Sequence, residues 1–419
     1  MRILLILVLL LLPNPVLSSG WVIKRVTDNN VDDKYPSLSK GEIVWERKER
    51  DEEGRIDWEI YRWSGFEEEN ISNDKGHWDR EPVIHNGHIA WTKYVKETLN
   101  EHDIYYYKDG KQIRIERKYC DYSPSIYENW ISWVGCRPGE SGEPIEFIHL
   151  CKCDSPKPKP DSIDSITGES PALYGNSLAY IGKDYEVYYI DDLRSPDPKC
   201  LSKGVSQGMN KNPSIYENTV TWCGIDEDGD YEIYYWDGKD THKITDNSIQ
   251  DVAPSLYKGK IAWEREGEIW YWDGEKEEKV TEGMCPCLWG NSIAYHYYDG
   301  NDYEIGYAIL VETPSDKESD KESDKESFIT DVFNYPNPFS ANKESTIIQY
   351  RLKEDCRSIV KIYDLLGNLV WRKDVEVGSV VNEVPWDGRN EKGEIVSFGG
   401  YICVIEAKGD RETRKILVK

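Results

Sequence analysis

Residues 253–270 read APSLYKGKIAWEREGEIW, and this stretch contains the pattern that decides the fold. A proline is followed after two residues by Leu or Ile, after five by Gly or Asn, after seven by an aliphatic residue and after nine by Trp or Tyr. The spacing occurs seven times, in the pairs Pro36/Trp45, Pro82/Trp91, Pro124/Trp133, Pro171/Tyr180, Pro213/Trp222, Pro254/Trp263 and Pro286/Tyr295. A fixed spacing inside a variable period indicates a repeated structural unit with loops of different lengths.

Each repeat predicts four short antiparallel strands. Gly and Asn tolerate positive φ best, so the fifth position predicts a tight turn between the first and second strands. The second strand alternates aliphatic and aromatic residues on its buried face, as in Ile261 and Trp263. In most repeats a third strand begins with an acid and an aliphatic residue, as in Glu268-Ile269, and a fourth ends in Thr or Ser. Four such strands in about 40 residues are typical of a β-propeller blade.

The two ends of the repeat array complement each other. The last repeat ends after its third strand near Val311, and an unpartnered fourth-strand sequence from Val22 to Thr27 precedes the first proline. We therefore expect the N-terminal strand to complete the last repeat and remove the exposed edges of an open array. The predicted fold class is all-β: a seven-bladed β-propeller closed by the N-terminal strand, followed by a small C-terminal immunoglobulin-like β-sandwich.

Composition divides the chain into four segments. Residues 1–19 predict a signal peptide, with a basic start, an apolar run and cleavage after Ser18. Residues 20–311 hold the propeller repeats. Residues 312–327 contain Asp-Lys-Glu-Ser three times and predict a charged flexible linker. Residues 328–419 alternate strand patterns with Gly turns, which predicts the β-sandwich.

Two families resemble these segments. The Pro-led strand, the Ile-Ala-Trp strand and the Glu-Ile-Trp strand of 253–270 resemble the TolB-like propeller repeat, over roughly residues 21–311. Residues 328–419, with YPNPF at 335–339 and WDGRN at 386–390, resemble the C-terminal sorting domain of type IX secretion and the FlgD-type immunoglobulin-like domain. This second resemblance implies export, followed by release or attachment at the outer cell surface.

The formal net charge of −26 argues against nucleic acid and anionic membranes as partners. The sequence contains no Gly-x-Ser-x-Gly elbow, no His-Glu-x-x-His motif and no phosphate loop. We therefore predict no cofactor. We also predict no transmembrane segment in the mature chain, and a monomer whose partner is a protein or a polysaccharide. The ten cysteines of an exported chain permit disulfides, with the connectivity left open.

Two sets of residues are candidate sites. In a ring, the acids that begin the third strands would form a circle able to bind a basic partner or a cation, or each would accept hydrogen bonds within its own repeat. The ligand-binding candidates in this column are Glu59, Asp103, Glu186, Glu232, Glu268 and Glu304, with Glu146 in the third repeat. The metal candidates are His85, His88 and His296, because some TolB-like seven-bladed propellers are polysaccharide lyases that use His ligands. The alternative for His85 and His88 is a surface pair without an ion.

Two further patterns leave alternatives open. The residues three after the prolines, at the end of the first strand, are either core residues or a surface on which sugars stack. They are Tyr127, Tyr174, Tyr216, Tyr257 and Trp289. The acidic loops at 226–230 and 299–302 suggest calcium, yet neither has the spacing of a calcium loop, and turn chemistry explains their composition without an ion.

The leading hypothesis is a secreted or surface-attached, non-catalytic recognition module. Its partners would bind the face formed by the loops before the first strand and between the second and third strands. The competing hypothesis is a carbohydrate-active enzyme, a polysaccharide lyase or glycosidase, that uses the central pocket. A third is a scaffold without a small ligand.

Overall fold

The structure is a computed structural model. It describes residues 20–50, 53–65, 67–74, 76–95, 102–115, 120–138, 144–154, 161–162, 166–311, 328–335, 337, 339–341, 343, 345–364, 368–376, 381–397 and 399–418. The predicted signal peptide and linker lie outside these residues. The regular elements within them are all strands, and they form two compact bodies, Gly20–Val311 and one within Glu312–Lys419. Over the same ranges, no helix is long and apolar enough to span a membrane.

The first body contains strands β1–β28, in seven repeats. The first strands, which contain the prolines, are β2 (Asp33–Ser39), β6 (His77–His85), β10 (Asp121–Tyr127), β14 (Gly168–Tyr174), β18 (Lys211–Tyr216), β22 (Asp251–Tyr257) and β26 (Met284–Trp289). The second strands are β3 (Glu42–Arg50), β7 (His88–Val95), β11 (Trp130–Pro138), β15 (Ser177–Gly182), β19 (Thr219–Ile225), β23 (Lys260–Arg265) and β27 (Ser292–Tyr298).

The outer strands complete each repeat. The third strands are β4 (Ile56–Trp63), β8 (His102–Lys108), β12 (Pro144–Lys152), β16 (Val187–Ile190), β20 (Tyr231–Trp236), β24 (Glu268–Trp272) and β28 (Tyr303–Val311). The fourth strands are β5 (Glu68–Asn70), β9 (Lys111–Ile115), β13 (Asp161–Ser162), β17 (Lys199–Cys200), β21 (Thr241–Lys243), β25 (Glu277–Glu282) and, in the last repeat, β1 (Gly20–Arg25).

Strands within a repeat pair antiparallel in chain order, except that β1 joins from the other end of the chain. The last sheet has the order β1-β28-β27-β26, with Gly20 opposite Val311 and Arg25 opposite Gly306. The N-terminal strand thus pairs with the third strand of the incomplete last repeat. The sheets of repeats 1 and 2 are joined by one parallel pair, Trp58 and Trp78, which makes them one eight-stranded sheet.

The hairpin turns differ from the sequence prediction in one respect. The residue before the Gly/Asn position is left-handed in all seven turns: Lys40, Asn86, Glu128, Gly175, Glu217, Lys258 and Gly290. At the Gly/Asn position itself, the three glycines are left-handed (φ +79°, +77° and +72°), whereas the four asparagines are not. The prediction that this position supplies the positive φ therefore holds only for the glycines. In the other four turns the residue before the Asn has the positive φ, so the Asn itself does not need one.

Each first strand contains a β-bulge at the residue before its proline. These seven residues have φ between 49° and 57°, and the strand register shifts at the bulge in β2, for example between Lys34 and Ser37. The bulge turns the backbone amide toward the preceding repeat, as when Glu81 N–H donates to Glu46 Oε1 at 2.7 Å. The amide of Tyr35 donates to His296 Nδ1 at 3.4 Å, so the first repeat contacts the seventh in the same way.

Neighbouring first strands are also joined directly. In several repeats the residue after the proline accepts a hydrogen bond from the amide two residues after the proline of the next repeat. The bonds are Ile84 N–H to Ser37 Oγ (3.2 Å), Leu173 N–H to Ser125 Oγ (2.9 Å), Leu256 N–H to Ser214 Oγ (3.0 Å), Leu288 N–H to Ser255 Oγ (2.9 Å) and Leu38 N–H to Cys287 Sγ (3.2 Å). The last bond again joins the first repeat to the seventh.

The second-strand aromatic residue forms the core between neighbouring sheets, and its chemistry depends on the residue three before the proline. Four tryptophans donate their indole N–H to a buried Asp at that position: Trp45 to Asp33 (2.8 Å), Trp91 to Asp79 (2.5 Å), Trp133 to Asp121 (2.9 Å) and Trp263 to Asp251 (2.7 Å). Where the aromatic residue is Tyr180 or Tyr295, the position holds Gly168 or Gly283. A Cβ there would lie 2.7 Å or 2.4 Å from a carbon of the tyrosine ring.

The second body is a sandwich of two antiparallel sheets. Its strands are β29 (Ile329–Tyr335), β30 (Thr346–Leu352), β31 (Ser358–Asp364), β32 (Leu369–Val375), β33 (Val381–Trp386), β34 (Gly399–Ala407) and β35 (Asp410–Val418). The sheet orders are β29-β30-β33 and β32-β31-β34-β35, and residues of both sheets share one core around Phe339, Tyr350 and Trp386. None of the ten cysteines of the chain forms a disulfide.

Candidate functional site

The alternation of strand direction gives the first body two different ends. The loop end carries the connections that precede the first strands and the loops between second and third strands. The turn end carries the hairpin turns between first and second strands and between third and fourth strands. The acid column, at or near the start of the third strands, therefore lies at the loop end, and the residues three after the prolines lie at the turn end.

Each acid of the predicted column is engaged by a group of its own repeat. The pairs are Glu59 with Ser72 Oγ, Asp103 with Arg114 (2.8 Å), Glu146 with Tyr122 OH (2.5 Å), Glu186 with Ser202 Oγ, Glu232 with Asn247 N–H (2.7 Å), Glu268 with Lys279 Nζ (2.5 Å) and Glu304 with Asn29 N–H (2.7 Å). Asn29 follows β1, so it belongs to the seventh repeat in the same sense. These contacts correspond to the alternative in which each acid accepts hydrogen bonds within its own repeat.

Three compact acidic groups occur at the loop end. Among the described residues, the groups whose donor atoms lie within 4.8 Å of one another are Glu59/Asp74/Asp79, Asp226/Asp230/Glu232 and Asp299/Asp302/Glu304. Each group contains one member of the acid column, and no group combines two members. The structure therefore joins these three column members to local loop acids and not to one another.

Of the three predicted metal ligands, His85 and His88 lie opposite each other in the β6–β7 hairpin but contact different groups, and His296 lies elsewhere. His85 Nδ1 accepts the backbone N–H of Glu128 at 2.8 Å, and His88 Nδ1 lies 2.7 Å from Tyr106 OH. His296 lies in the seventh repeat, at the loop end. None of the compact donor groups within the described ranges includes a histidine. Burial lowers the pKa of His85 and of His296 to about 4, which keeps both rings neutral and suits them as acceptors of backbone N–H groups.

The loop end also exposes large hydrophobic side chains. Of the exposed large hydrophobic residues described in the first body, Val22 and Ile23 lie on β1 and all others lie at the loop end. The loop-end residues, each 40–58% exposed, are Tyr35, Ile56, Tyr185, Val205, Met209 and Tyr298. These residues belong to several repeats, and their presence at one end makes the loop end the candidate face for a partner.

A groove at the loop end of repeat 2 combines aromatic and charged groups. It is lined by Trp78, Arg80, Glu81, Tyr94 and His102. The rings of Tyr94 and His102 are 4.2 Å apart between centroids. The Arg80 guanidinium donates to Glu46 Oε2 at 2.5 Å, so its position in the groove is fixed by a buried carboxylate.

An uninterrupted circle of aromatic rings, here called the collar, lies at the turn end. Its centroid distances are His85–Tyr127 4.4 Å, Tyr127–Tyr174 4.5 Å, Tyr174–Tyr216 4.8 Å, Tyr216–Tyr257 4.9 Å, Tyr257–Trp289 5.3 Å and Trp289–His85 5.3 Å. A hexagon with such sides places each centroid about 5 Å from its centre, so the rings fill much of the opening. The first repeat has Ser39 at the equivalent position, which lets His85 contact Trp289.

The hydroxyl groups of the collar tyrosines influence one another. Burial, together with the neighbouring tyrosine, raises the pKa of Tyr127 and of Tyr174 to about 12, and burial also raises the pKa of Tyr216. The rings remain partly exposed. The collar thus offers aromatic faces together with hydroxyl groups, a combination that suits a ligand with both apolar and polar sides.

The comparisons with known proteins identify the fold. No family model matches the sequence, and no curated protein is similar to it. The β-propeller domain of the trilobed protease from Pyrococcus furiosus aligns with 71% of this chain and 100% of its own, at 12% identity and a TM-score of 0.53. Gly20–Val311 forms a β-propeller. An oligogalacturonate lyase from Vibrio parahaemolyticus aligns with 71% of this chain and 98% of its own, at 8% identity and a TM-score of 0.51.

A third similar structure belongs to a longer protein. An acylaminoacyl peptidase in complex with a chloromethyl ketone aligns at 12% identity and a TM-score of 0.51, over 77% of this chain and 58% of its own. At such identities the likeness concerns the fold of the propeller and not its activity.

Proposed function

We propose that the chain is an exported, seven-bladed β-propeller that binds a protein or glycan partner through its loop end without catalysing a reaction. Each repeat would be one blade, and β1 would complete the seventh blade and close the ring. The support for closure is that the first repeat contacts the seventh by the same two kinds of hydrogen bond that join consecutive repeats, through His296 and Cys287.

The observation that carries the recognition function is the concentration of exposed hydrophobic residues at the loop end. Together with the aromatic groove of repeat 2, they give this end both apolar contact area and fixed charged groups. Interfaces of this kind obtain most of their binding energy from a few aromatic or long side chains. We expect Tyr185 and Met209 to contribute most to the binding energy. Tyr185 lies in the loop between β15 and β16, and Met209 lies in the connection between repeats 4 and 5.

A binding panel tests this function. The mature chain would be incubated with a panel of polysaccharides and candidate proteins, scored for both retention and cleavage. We expect retention of at least one partner without cleavage, and a loss of at least about tenfold in affinity for Tyr185→Ser/Met209→Ser. Val22→Thr, which changes an exposed hydrophobic residue away from the loop end, is the matched control. Equal binding by the double variant and the wild type would contradict a loop-end site.

The competing function is a carbohydrate-active enzyme that uses the central pocket, and the collar is the observation that favours it. Aromatic rings with hydroxyl groups suit sugar rings, whose faces are apolar and whose edges are polar. New reducing ends in the same panel, lowered by Tyr216→Leu, would support this alternative. Binding without cleavage would support the recognition function.

We propose that the second body directs secretion or surface attachment, as the resemblance to sorting domains implies. Its support is a self-contained core within residues 328–418. The test is expression of the full chain and of a version ending at Val311 in a bacterium with type IX secretion. We expect only the full chain outside the outer membrane, and export of both versions would contradict the proposal.

A further inference from the structure

The loop between β19 and β20 in repeat 5 gathers three carboxylates. Asp226, Asp230 and Glu232 each offer an oxygen within 4.8 Å of the others, and all three residues are buried. Asp226 Oδ1 is fixed by the backbone N–H groups of Asp228 (2.8 Å) and Gly229 (3.1 Å). These backbone hydrogen bonds hold the Asp226 carboxylate in place within the loop.

Two oxygens of this cluster lack a hydrogen-bond donor. Asp230 Oδ2 and Glu232 Oε2 are buried without a partner, and the two residues are only 7% and 0% exposed. A buried carboxylate oxygen without a donor costs roughly 1–3 kcal/mol, more when it is charged. Both residues belong to the compact group, so a cation bound among the three carboxylates would satisfy these oxygens.

The charges in the cluster point to a divalent ion. The only cation in contact with the three carboxylates in this described segment is Lys243, whose Nζ lies 2.7 Å from Asp226 Oδ2 and also contacts the exposed Asp246. Three carboxylates and one ammonium leave a net charge of −2 in a buried group.

The seventh repeat has a similar but more open arrangement, in which Asp299 is exposed and Arg25 also lies 3.3 Å from Glu304 Oε1. Asp299 Oδ1 accepts the N–H of Asn301 at 2.9 Å, and Arg25 lies 2.5 Å from Asp299 Oδ2, as Lys243 lies beside Asp226. Asp302 Oδ1 and Glu304 Oε2 are buried without a partner. The cation here is Arg25 of β1, which is far from Asp299 in sequence, whereas Lys243 follows Asp226 within the same repeat.

The cluster in repeat 2 differs. Lys93 contacts both Asp74 and Asp79, and Ser72 donates to Glu59, so only Asp79 Oδ2 lacks a donor there. Repeat 6 has a short turn in place of the loop, and its Glu268 pairs with Lys279 at the surface.

We propose that the loops Asp226–Glu232 and Asp299–Glu304 each bind one calcium ion. Ca²⁺ takes oxygen ligands in irregular geometry, and three carboxylates from one loop and the strand that follows supply them. Mg²⁺ fits less well, because it requires near-ideal octahedral geometry and loses water reluctantly. Lys243 keeps Asp246 as its partner when calcium takes the Asp226 oxygen.

Isothermal titration of the EDTA-treated full chain with CaCl₂ tests the proposal. We expect two sites with Kd of about 10⁻⁵–10⁻³ M, and weaker binding of MgCl₂. Asp230→Asn and Asp302→Asn should each remove one site. Glu268→Gln, the control from the repeat without the loop, should keep both. Absence of binding up to about 10 mM, or two intact sites in both variants, would overturn the proposal.

A second measurement covers variants that fail to fold. Calcium at about 100 times Kd should raise the Tm of the wild type by roughly 5 °C, and EDTA should reverse the rise. A Tm that does not respond to calcium would also overturn the proposal. The partner-binding function does not enter these measurements, so the two proposals are tested separately.

Discussion

Asp251→Ala should strongly destabilise the propeller, because one buried carboxylate satisfies three other side chains. Asp251 is fully buried and accepts hydrogen bonds from Trp263 Nε1 (2.7 Å), Arg265 Nε (2.7 Å) and Nη2 (3.0 Å), and Asn247 Nδ2 (2.7 Å). Alanine leaves the indole N–H and the Arg265 Nε–H without their acceptor, while the partly exposed Glu277, 3.2 Å away, still pairs with the guanidinium. Removal of one partner of a buried ion pair costs about 3–5 kcal/mol, and we expect a loss near the lower end of this range because Glu277 remains.

A double-variant cycle isolates the cause. Asp251→Ala/Arg265→Met removes both charges and should cost less than Asp251→Ala alone, because the buried guanidinium is no longer left with the partly exposed Glu277 as its counter-charge. Urea unfolding followed by tryptophan fluorescence measures each variant, since all but Trp371 and Trp386 of the 16 tryptophans lie in the propeller. Asp273→Ala, in an exposed turn, is the control. A loss below about 1 kcal/mol for Asp251→Ala, or a costlier double variant, would refute the reasoning.

Two further predictions concern ring closure and pH. Trp21→Ala should destabilise the propeller by about 2 kcal/mol in urea unfolding, because the Trp21 indole donates to Glu278 Oε1 at 2.9 Å and joins β1 to the sixth repeat. Val22→Ala, on the exposed face of β1, is the control. Equal losses of stability in the two variants would contradict a role for β1 in closure. Burial raises the pKa of Glu46 to about 7. The folded chain therefore keeps a proton that the unfolded chain loses above about pH 4.5, so this residue's contribution to stability falls by up to about 3 kcal/mol as pH rises to about 7. Glu46→Gln should reduce this fall of the urea midpoint between about pH 4.5 and pH 7, whereas Glu266→Gln at an exposed turn should not. An unchanged pH dependence in Glu46→Gln would contradict the raised pKa of Glu46.

Much of the propeller could be predicted from the repeat columns. The proline, the turn and the second-strand aromatic residue are local signals, and the structure forms its first, second and third strands around them. The pairing of β1 with β28 could also be predicted, because an unpartnered strand pattern and an incomplete repeat complement each other. The third repeat has Glu146-Phe147 in place of an acid and an aliphatic residue, yet it still forms a second and a third strand, β11 and β12.

One structural rule was present in the sequence but was missed. Asp precedes the proline by three residues in four of the repeats that carry Trp, and Gly stands there in both repeats that carry Tyr. In these four repeats the Asp accepts the buried indole N–H, whereas in the fifth, with Asn210 at this position, Trp222 Nε1 is buried without a partner. In the two Tyr repeats the tyrosine ring occupies the space that a side chain would need. The sequence analysis likewise treats His85 as a metal ligand or as part of a surface pair, although it stands three residues after Pro82, in the column that forms the collar.

The sequence by itself determined the strands, their order and the pairing of the two ends of the repeat array, because backbone preferences and side-chain alternation act over a few residues. Only the tertiary structure decided which side chains meet across repeats. The collar joins His85 to Trp289, and the seventh-repeat acidic cluster takes its cation from Arg25, contacts between residues more than 200 positions apart. Such contacts depend on how neighbouring sheets pack, and no local preference encodes that.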